Sequence, residues 1–241
     1  MSWNRGAPFG GGGMTLAFPP VTPMIRRILW TLGIAFALQW IVLYPFLGKW
    51  TVDAWFALSP VGVLHGYAWQ LVTYALLHGG LMHLLMNMLG IWMFGGDVER
   101  LFGSRRLLVY FVLCVVGGGV THVLVGLLAG NPVGVIGASG GVLGLVLAFA
   151  LFYPDRMVFI FPLPFPIRAR TMALIYMVLD LWGAIQGNPG GGIAHFAHLG
   201  GVLTGFLYIA AWRGWGPTLE AIGIRRRRRF RVVRDDRDPW H

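Results

Sequence analysis

Six apolar runs divide the chain, at Ile28–Leu47, Leu81–Gly96, Leu107–Leu128, Ser139–Tyr153, Thr171–Gly187 and Ile193–Trp212. A helix needs about 17–25 mostly apolar residues to cross a hydrocarbon core, so the second and fourth runs are short for spans. Together they predict an all-α polytopic membrane protein, a bundle of six transmembrane helices over residues 25–213. Residues 1–24 are Gly- and Pro-rich, with a Gly10–Gly13 run, and are expected to form a disordered lead-in. Gly48–Gly80 is a long, nearly uncharged loop rich in Trp and Leu, suited to the membrane interface. Gly95–Gly103 reads as a cytoplasmic turn, Asn131–Gly137 as an external loop, and Gly187–Gly192 as a tight external turn.

Composition agrees with the pattern. The chain is 56% hydrophobic and 12% charged, with a mean hydropathy of +0.67. Six spans put both termini on one side, and only Lys49 of the 19 basic residues then falls in an opposite-side loop. The positive-inside rule places both termini in the cytoplasm, as expected of a multi-pass protein in a prokaryotic inner membrane. Residues 214–241 form a basic tail with five arginines, Arg225–Arg229. Beside a membrane helix such a run points to anionic lipid rather than nucleic acid.

Polar residues inside spans are costly and mark function by default. Ser139 stands in Gly137-Ala138-Ser139-Gly140-Gly141, where the fourth span begins. A helix starting there would put free N–H groups and its positive dipole end beside the hydroxyl, ground suited to an oxyanion. Depth can be counted from the nearest cytoplasmic charge at about 1.5 Å per residue, giving roughly 24 Å for Ser139, 22 Å for His198, 21 Å for His83 and 15 Å for Asn87. Ser139, His198 and His83 thus share a level. His83 and Asn87 are i and i+4, on one helix face. His198, Gly201 and Gly205 form a stripe that permits close approach to a second stripe, Gly137, Gly140, Gly144 and Ala148. Crossing these stripes would join Ser139 to His198. Asp180, the one acidic residue within an apolar run, counts to about 15 Å and reads as too deep to complete a triad. His195 counts to about 27 Å and overshoots the serine. His78 and His122 read as structural. No metal is expected, since there is no His-Glu-x-x-His and His195 and His198, at i and i+3, are expected to lack a carboxylate or cysteine partner nearby.

The chain resembles the rhomboid family of intramembrane serine proteases over roughly Ile25–Trp212. The motifs carrying the resemblance are Gly137-Ala138-Ser139-Gly140, His83-x-x-x-Asn87, Glu99-x-x-x-Gly103 and Ala197-His198-Leu199-Gly200-Gly201-x-x-x-Gly205. The resemblance implies a Ser139–His198 dyad that cleaves single-span transmembrane substrates near their outer end, without a cofactor. It also implies an oxyanion site of His83, Asn87 and the Ser139 N–H, and a substrate gate at the first loop and at the fifth span with Trp182. The alternative within the same fold is a non-catalytic rhomboid-like protein that binds transmembrane helices for quality control. This chain departs from the family twice. Trp69-Gln70 stands where many members have Trp-Arg, and Leu143 stands where many carry an aromatic ring stacked on the base.

Overall fold

The computed structural model describes residues 19–159, 165–186 and 192–221. The first 18 residues, most of the expected Gly187–Gly192 turn and the Arg225–Arg229 run lie outside them. The architecture is all-α. α1 (Pro23–Leu47) leads into three short helices, α2 (Lys49–Phe56), α3 (Pro60–Leu64) and α4 (Gln70–Thr73). α5 (Leu81–Phe102), α6 (Ser104–Leu128) and α7 (Ser139–Phe152) follow. A two-residue hairpin, β1 (Met157–Val158) with β2 (Ile167–Arg168), precedes α8 (Ala169–Gln186), α9 (Gly192–Arg213) and α10 (Trp215–Ala221). α1, α5, α6 and the Ala194–Arg213 part of α9 are long and apolar enough to cross a membrane, and α7 is a shorter apolar helix. α8 is an 18-residue helix, Ala169–Gln186.

Local chemistry explains the irregular points. In α1 a π-helical turn, Leu38–Leu43, precedes Pro45. Proline has no N–H to give to the preceding turn and its ring crowds that carbonyl, and the wider turn accommodates both. The expected turn at Gly95–Gly103 is instead helix through Phe102, and the chain reverses at Gly103 alone, with φ +76°. The two glycines that open that stretch are contact points: a β-carbon on Gly96 would lie 2.9 Å from the Pro20 carbonyl, and one on Gly95 would run into Ile25. They let the start of α1 lie directly on α5. Glu99 fixes that junction. Its buried carboxylate accepts from the N–H of Met24 and Ile25 at 2.9 and 3.0 Å, from Ser104 Oγ at 2.5 Å, and from Thr22 Oγ1. A carboxylate at a helix N-terminus satisfies orphan donors and opposes the dipole.

α7 is the axis of the molecule. Gly140, Gly141, Val142 and Gly144 through Leu151 are all buried, and α5, α6, α8 and α9 pack around it. A helix apolar on every side belongs at the centre of a bundle. The first loop is anchored through its sequence departure. Gln70 is fully buried, accepting from Ser59 N at 3.1 Å and donating to the Ala54 carbonyl at 2.9 Å. Trp69 stacks on Tyr67 at 4.8 Å and donates to the Trp55 carbonyl. A bridge of Leu58 with Val135 ties this loop to the segment entering α7.

Candidate active site

Ser139 is the first residue of α7. Gly137, two residues before it, has φ +122°, a conformation that L side chains resist, and its N–H is held by the Tyr74 carbonyl at 2.9 Å. A β-carbon there would also lie 2.7 Å from Cε1 and Nε2 of His83 and 3.9 Å from Asn87 Nδ2. Glycine at this position therefore serves both the turn and the approach of the His83 ring. The N–H groups of the first turn of α7 have no partner within the helix.

α9 closes on α7 by backbone contact. A β-carbon on Gly201 would lie 2.8 Å from the Gly140 carbonyl carbon, 2.9 Å from its Cα and closer still to its oxygen. On α6, a β-carbon on Gly118 would meet the Ala197 carbonyl at 2.5 Å. Gly205 does not face the α7 glycines; it sits against Tyr110 and Cys114 of α6. The Gly140–Gly201 contact brings His198, one turn away, onto the serine.

His198 Nε2 lies 2.6 Å from Ser139 Oγ, and its Nδ1 lies 2.8 Å from Asp180 Oδ1. The same carboxylate oxygen is 2.7 Å from His195 Nδ1. An ionised carboxylate only accepts, so both Nδ1 atoms donate to it, leaving the lone pair of His198 Nε2 facing the serine hydroxyl. The Asp180 side chain is 13% exposed and that of His198 26%.

The expectation that Asp180 lies too deep is therefore wrong. Depth counting asked the carboxylate to sit level with the serine, but an imidazole bound through opposite nitrogens bridges groups at different heights. Asp180 lines a small space with Leu143 and Val202, which are one turn along from Ser139 and His198. The same contact corrects the expectation that His195 and His198 have no carboxylate beside them. Asp180, His195 and His198 have ligand atoms all within 4.8 Å, a set that could hold a metal ion; here hydrogen bonds account for all three.

The other predicted residues fall around this centre. Asn87 is buried and donates to the His83 carbonyl at 3.0 Å. His83 Nδ1 accepts from Gly79 N at 3.4 Å, which leaves Nε2 as the N–H that faces Gly137. His122 is buried and its Nε2 donates to the Val133 carbonyl at 3.0 Å. His78 is buried edge-on to His83 at 5.1 Å, with no partner for Nε2. Its backbone is clamped from α1 by Gln39, which accepts from His78 N and donates to its carbonyl, both at 3.0 Å. Sequence reasoning missed this clamp, although a glutamine inside an apolar run was the available signal. Trp182, two residues on from Asp180, is 62% exposed on the face of α8 turned away from the dyad.

Residues 65–214 match the sequence pattern of the Rhomboid domain, a stretch that holds Ser139, His198, Asp180, His195, His83 and Asn87. The chain belongs to the rhomboid family. Among its relatives, the rhomboid protease GluP of Bacillus subtilis is 30% identical over 152 residues, covering 62% of this chain and 27% of GluP. The rhomboid protease GlpG of Photorhabdus laumondii is 29% identical over 170 residues, covering 69% and 55%. RHOMBOID-like protein 4 of Arabidopsis thaliana is 32% identical over 142 residues, covering 58% and 32%. The chain thus matches between about a quarter and a little over half of the length of these three relatives. A rhomboid built from these apolar helices is an integral membrane protein.

Proposed function

We propose that this rhomboid is an intramembrane serine endopeptidase that cleaves single-span transmembrane substrates near their outer end. The observation that carries the reading is the 2.6 Å contact of His198 Nε2 with Ser139 Oγ at the start of a buried helix. As a substrate carbonyl meets Ser139, the Oγ–C bond forms and the hydroxyl proton passes to His198 Nε2. The carbonyl π electrons move onto oxygen, facing the Ser139 N–H, His83 Nε2–H and the Asn87 amide. The C–N bond then breaks as His198 returns the proton to the departing amine. Water attacks the acyl-serine through the same base and releases the carboxylate product. Each oxyanion donor contributes about 3–4 kcal/mol in comparable sites.

The bundle is closed by glycine contacts between α7 and α9, so substrate has to enter from the lipid side. The first loop and the Trp182 face of α8 form the gate in this reading. Both termini are cytoplasmic, the host membrane is a prokaryotic inner membrane, and the arginine tail touches anionic lipid. A non-catalytic, helix-binding rhomboid would have no need of a serine and an unprotonated imidazole nitrogen at hydrogen-bond distance. Purified protein incubated with a single-span substrate tests the proposal: wild type should cleave, Ser139→Ala should not, and a fluorophosphonate should label Ser139 only. Wild-type-like turnover by Ser139→Ala would refute it.

A further inference from the structure

We infer that Asp180 is the positioning residue of the catalytic base, giving this rhomboid a Ser139–His198–Asp180 array in place of a bare dyad. The inference deepens the protease reading and rests on it. A serine-histidine pair has two problems to solve. The imidazole must present an unprotonated nitrogen to the serine, and the imidazolium formed during attack must be stabilised. Leu143 supplies no aromatic face to hold the ring. Asp180 Oδ1, at 2.8 Å from His198 Nδ1, answers both needs. As an acceptor it draws the ring proton to Nδ1, which leaves Nε2 free 2.6 Å from Ser139 Oγ. As an anion in a poorly solvated site it stabilises the positive ring that appears when the serine proton arrives.

His195 has a supporting part. Its Nδ1 donates to the same oxygen at 2.7 Å, from one helical turn toward the outer end of α9. Its ring packs against Gly183 of α8, where a β-carbon would come within 2.7 Å of Cε1 and Cδ2. A carboxylate on a helix flank can swing among rotamers, and two donors on one oxygen restrict it to the rotamer that meets His198. Asp180 does not contact Ser139 and so acts through the histidine.

The test compares Asp180→Asn, Asp180→Glu and Ser139→Ala with wild type, each judged folded by thermal unfolding in detergent. Asparagine preserves shape but offers His198 Nδ1 an amide that can donate, which favours the wrong tautomer. Asp180→Asn should lower kcat about 100-fold or more with KM within about threefold, and slow fluorophosphonate labelling in parallel. Asp180→Glu should recover at least about tenfold of that loss, which a packing role would not grant. A second measurement needs no variant at Asp180. In wild-type protein labelled with ¹⁵N-histidine, the His198 ring, assigned by its loss in His198→Ala, should carry its proton on Nδ1. A His198 proton on Nε2 in the resting enzyme, or Asp180→Asn within about threefold of wild-type kcat, overturns the inference. If wild type itself neither cleaves nor labels at Ser139, the protease reading fails first.

Discussion

Gly201→Ala asks how much of the activity depends on two helix backbones touching. The added methyl carbon would start 2.8 Å from the Gly140 carbonyl carbon and 2.9 Å from its Cα. Carbon atoms rest at about 3.5–4.0 Å, so the helices must part by about 1 Å. The colliding atoms are backbone, and no rotamer change can relieve them. His198 is one turn from Gly201 on the same rigid element and moves with it. A serine contact of 2.6 Å then opens to about 3.6 Å, beyond a useful hydrogen bond. A misplacement of this size costs about 100-fold in rate, and overpacking costs about 1–3 kcal/mol of stability. The assay is the rate of fluorophosphonate labelling of Ser139, read beside thermal unfolding at a temperature where the variant is still folded. Gly33→Ala is the matched control, because a β-carbon on Gly33 meets nothing within 4 Å. Labelling of Gly201→Ala within about threefold of wild type would refute the idea that this contact sets the dyad distance.

Three further outcomes follow from the geometry. Glu99→Ala removes the shared acceptor of two buried backbone N–H groups and two hydroxyls, and should cost about 3 kcal/mol or more in detergent unfolding; Glu99→Gln, which keeps one oxygen, should cost less, and equal losses would contradict the capping role. Asn87→Ala and His83→Ala should lower kcat more than they raise KM, because oxyanion contacts tighten only in the transition state, and a pure KM effect in both would move them to substrate binding. Burial, helped by the neighbouring His83 ring, pushes His78 down to about 4 from its ordinary 6.5, so the fold holds it neutral. The unfolded chain takes up that proton first. Stability from this group is therefore complete above pH 6.5 and is lost as pH falls toward 4, by about 3 kcal/mol at most. Unfolding temperatures at pH 7 and pH 5 should differ more for wild type than for His78→Phe, and an equal drop in both would remove His78 from the account.

The residues that meet at the site were legible because their signals are local. Glycines around Ser139 announced both a helix start and a close crossing, and the i, i+4 spacing put His83 and Asn87 on one face before any coordinates. The stripe on α9 was legible only in part. Gly201 touches α7, whereas Gly205 serves α6, since a straight helix drifts out of contact with one partner within a turn or two. Gly95 and Gly96 misled for the same reason that Gly140 informed. A glycine marks a place where something must come close, and sequence does not say whether that is a turn, a ligand or another helix. Gln70 was underrated in a different way. Its value lies in a neutral amide that both accepts and donates, which serves the carbonyl of Ala54 and the N–H of Ser59 together.

Asp180 was the largest miss, and its cause carries a physical consequence for the fold. Depth arithmetic treats a helix as a ruler whose zero is its terminal charge, but Arg170 is drawn to Asp155 at 3.1 Å and its N–H binds the Pro154 carbonyl. The zero of α8 is thus fixed by the end of α7, and its tilt is left free. Three groups linked by hydrogen bonds also need not be level, because the middle one has length. What holds the base in place can accordingly come from α7, as an aromatic ring four residues after the serine, or from α8, as a carboxylate reaching its other nitrogen. A large ring at position 143 would occupy the space that Asp180 now shares with Leu143 and Val202. Leucine at 143 and aspartate at 180 are then two halves of one arrangement. Leu143→Tyr in this chain should disturb the Asp180 contact, whereas Leu143→Tyr with Asp180→Ala should recover part of the lost labelling rate. A double variant no faster than Asp180→Ala alone would show that the two devices are not interchangeable in this bundle.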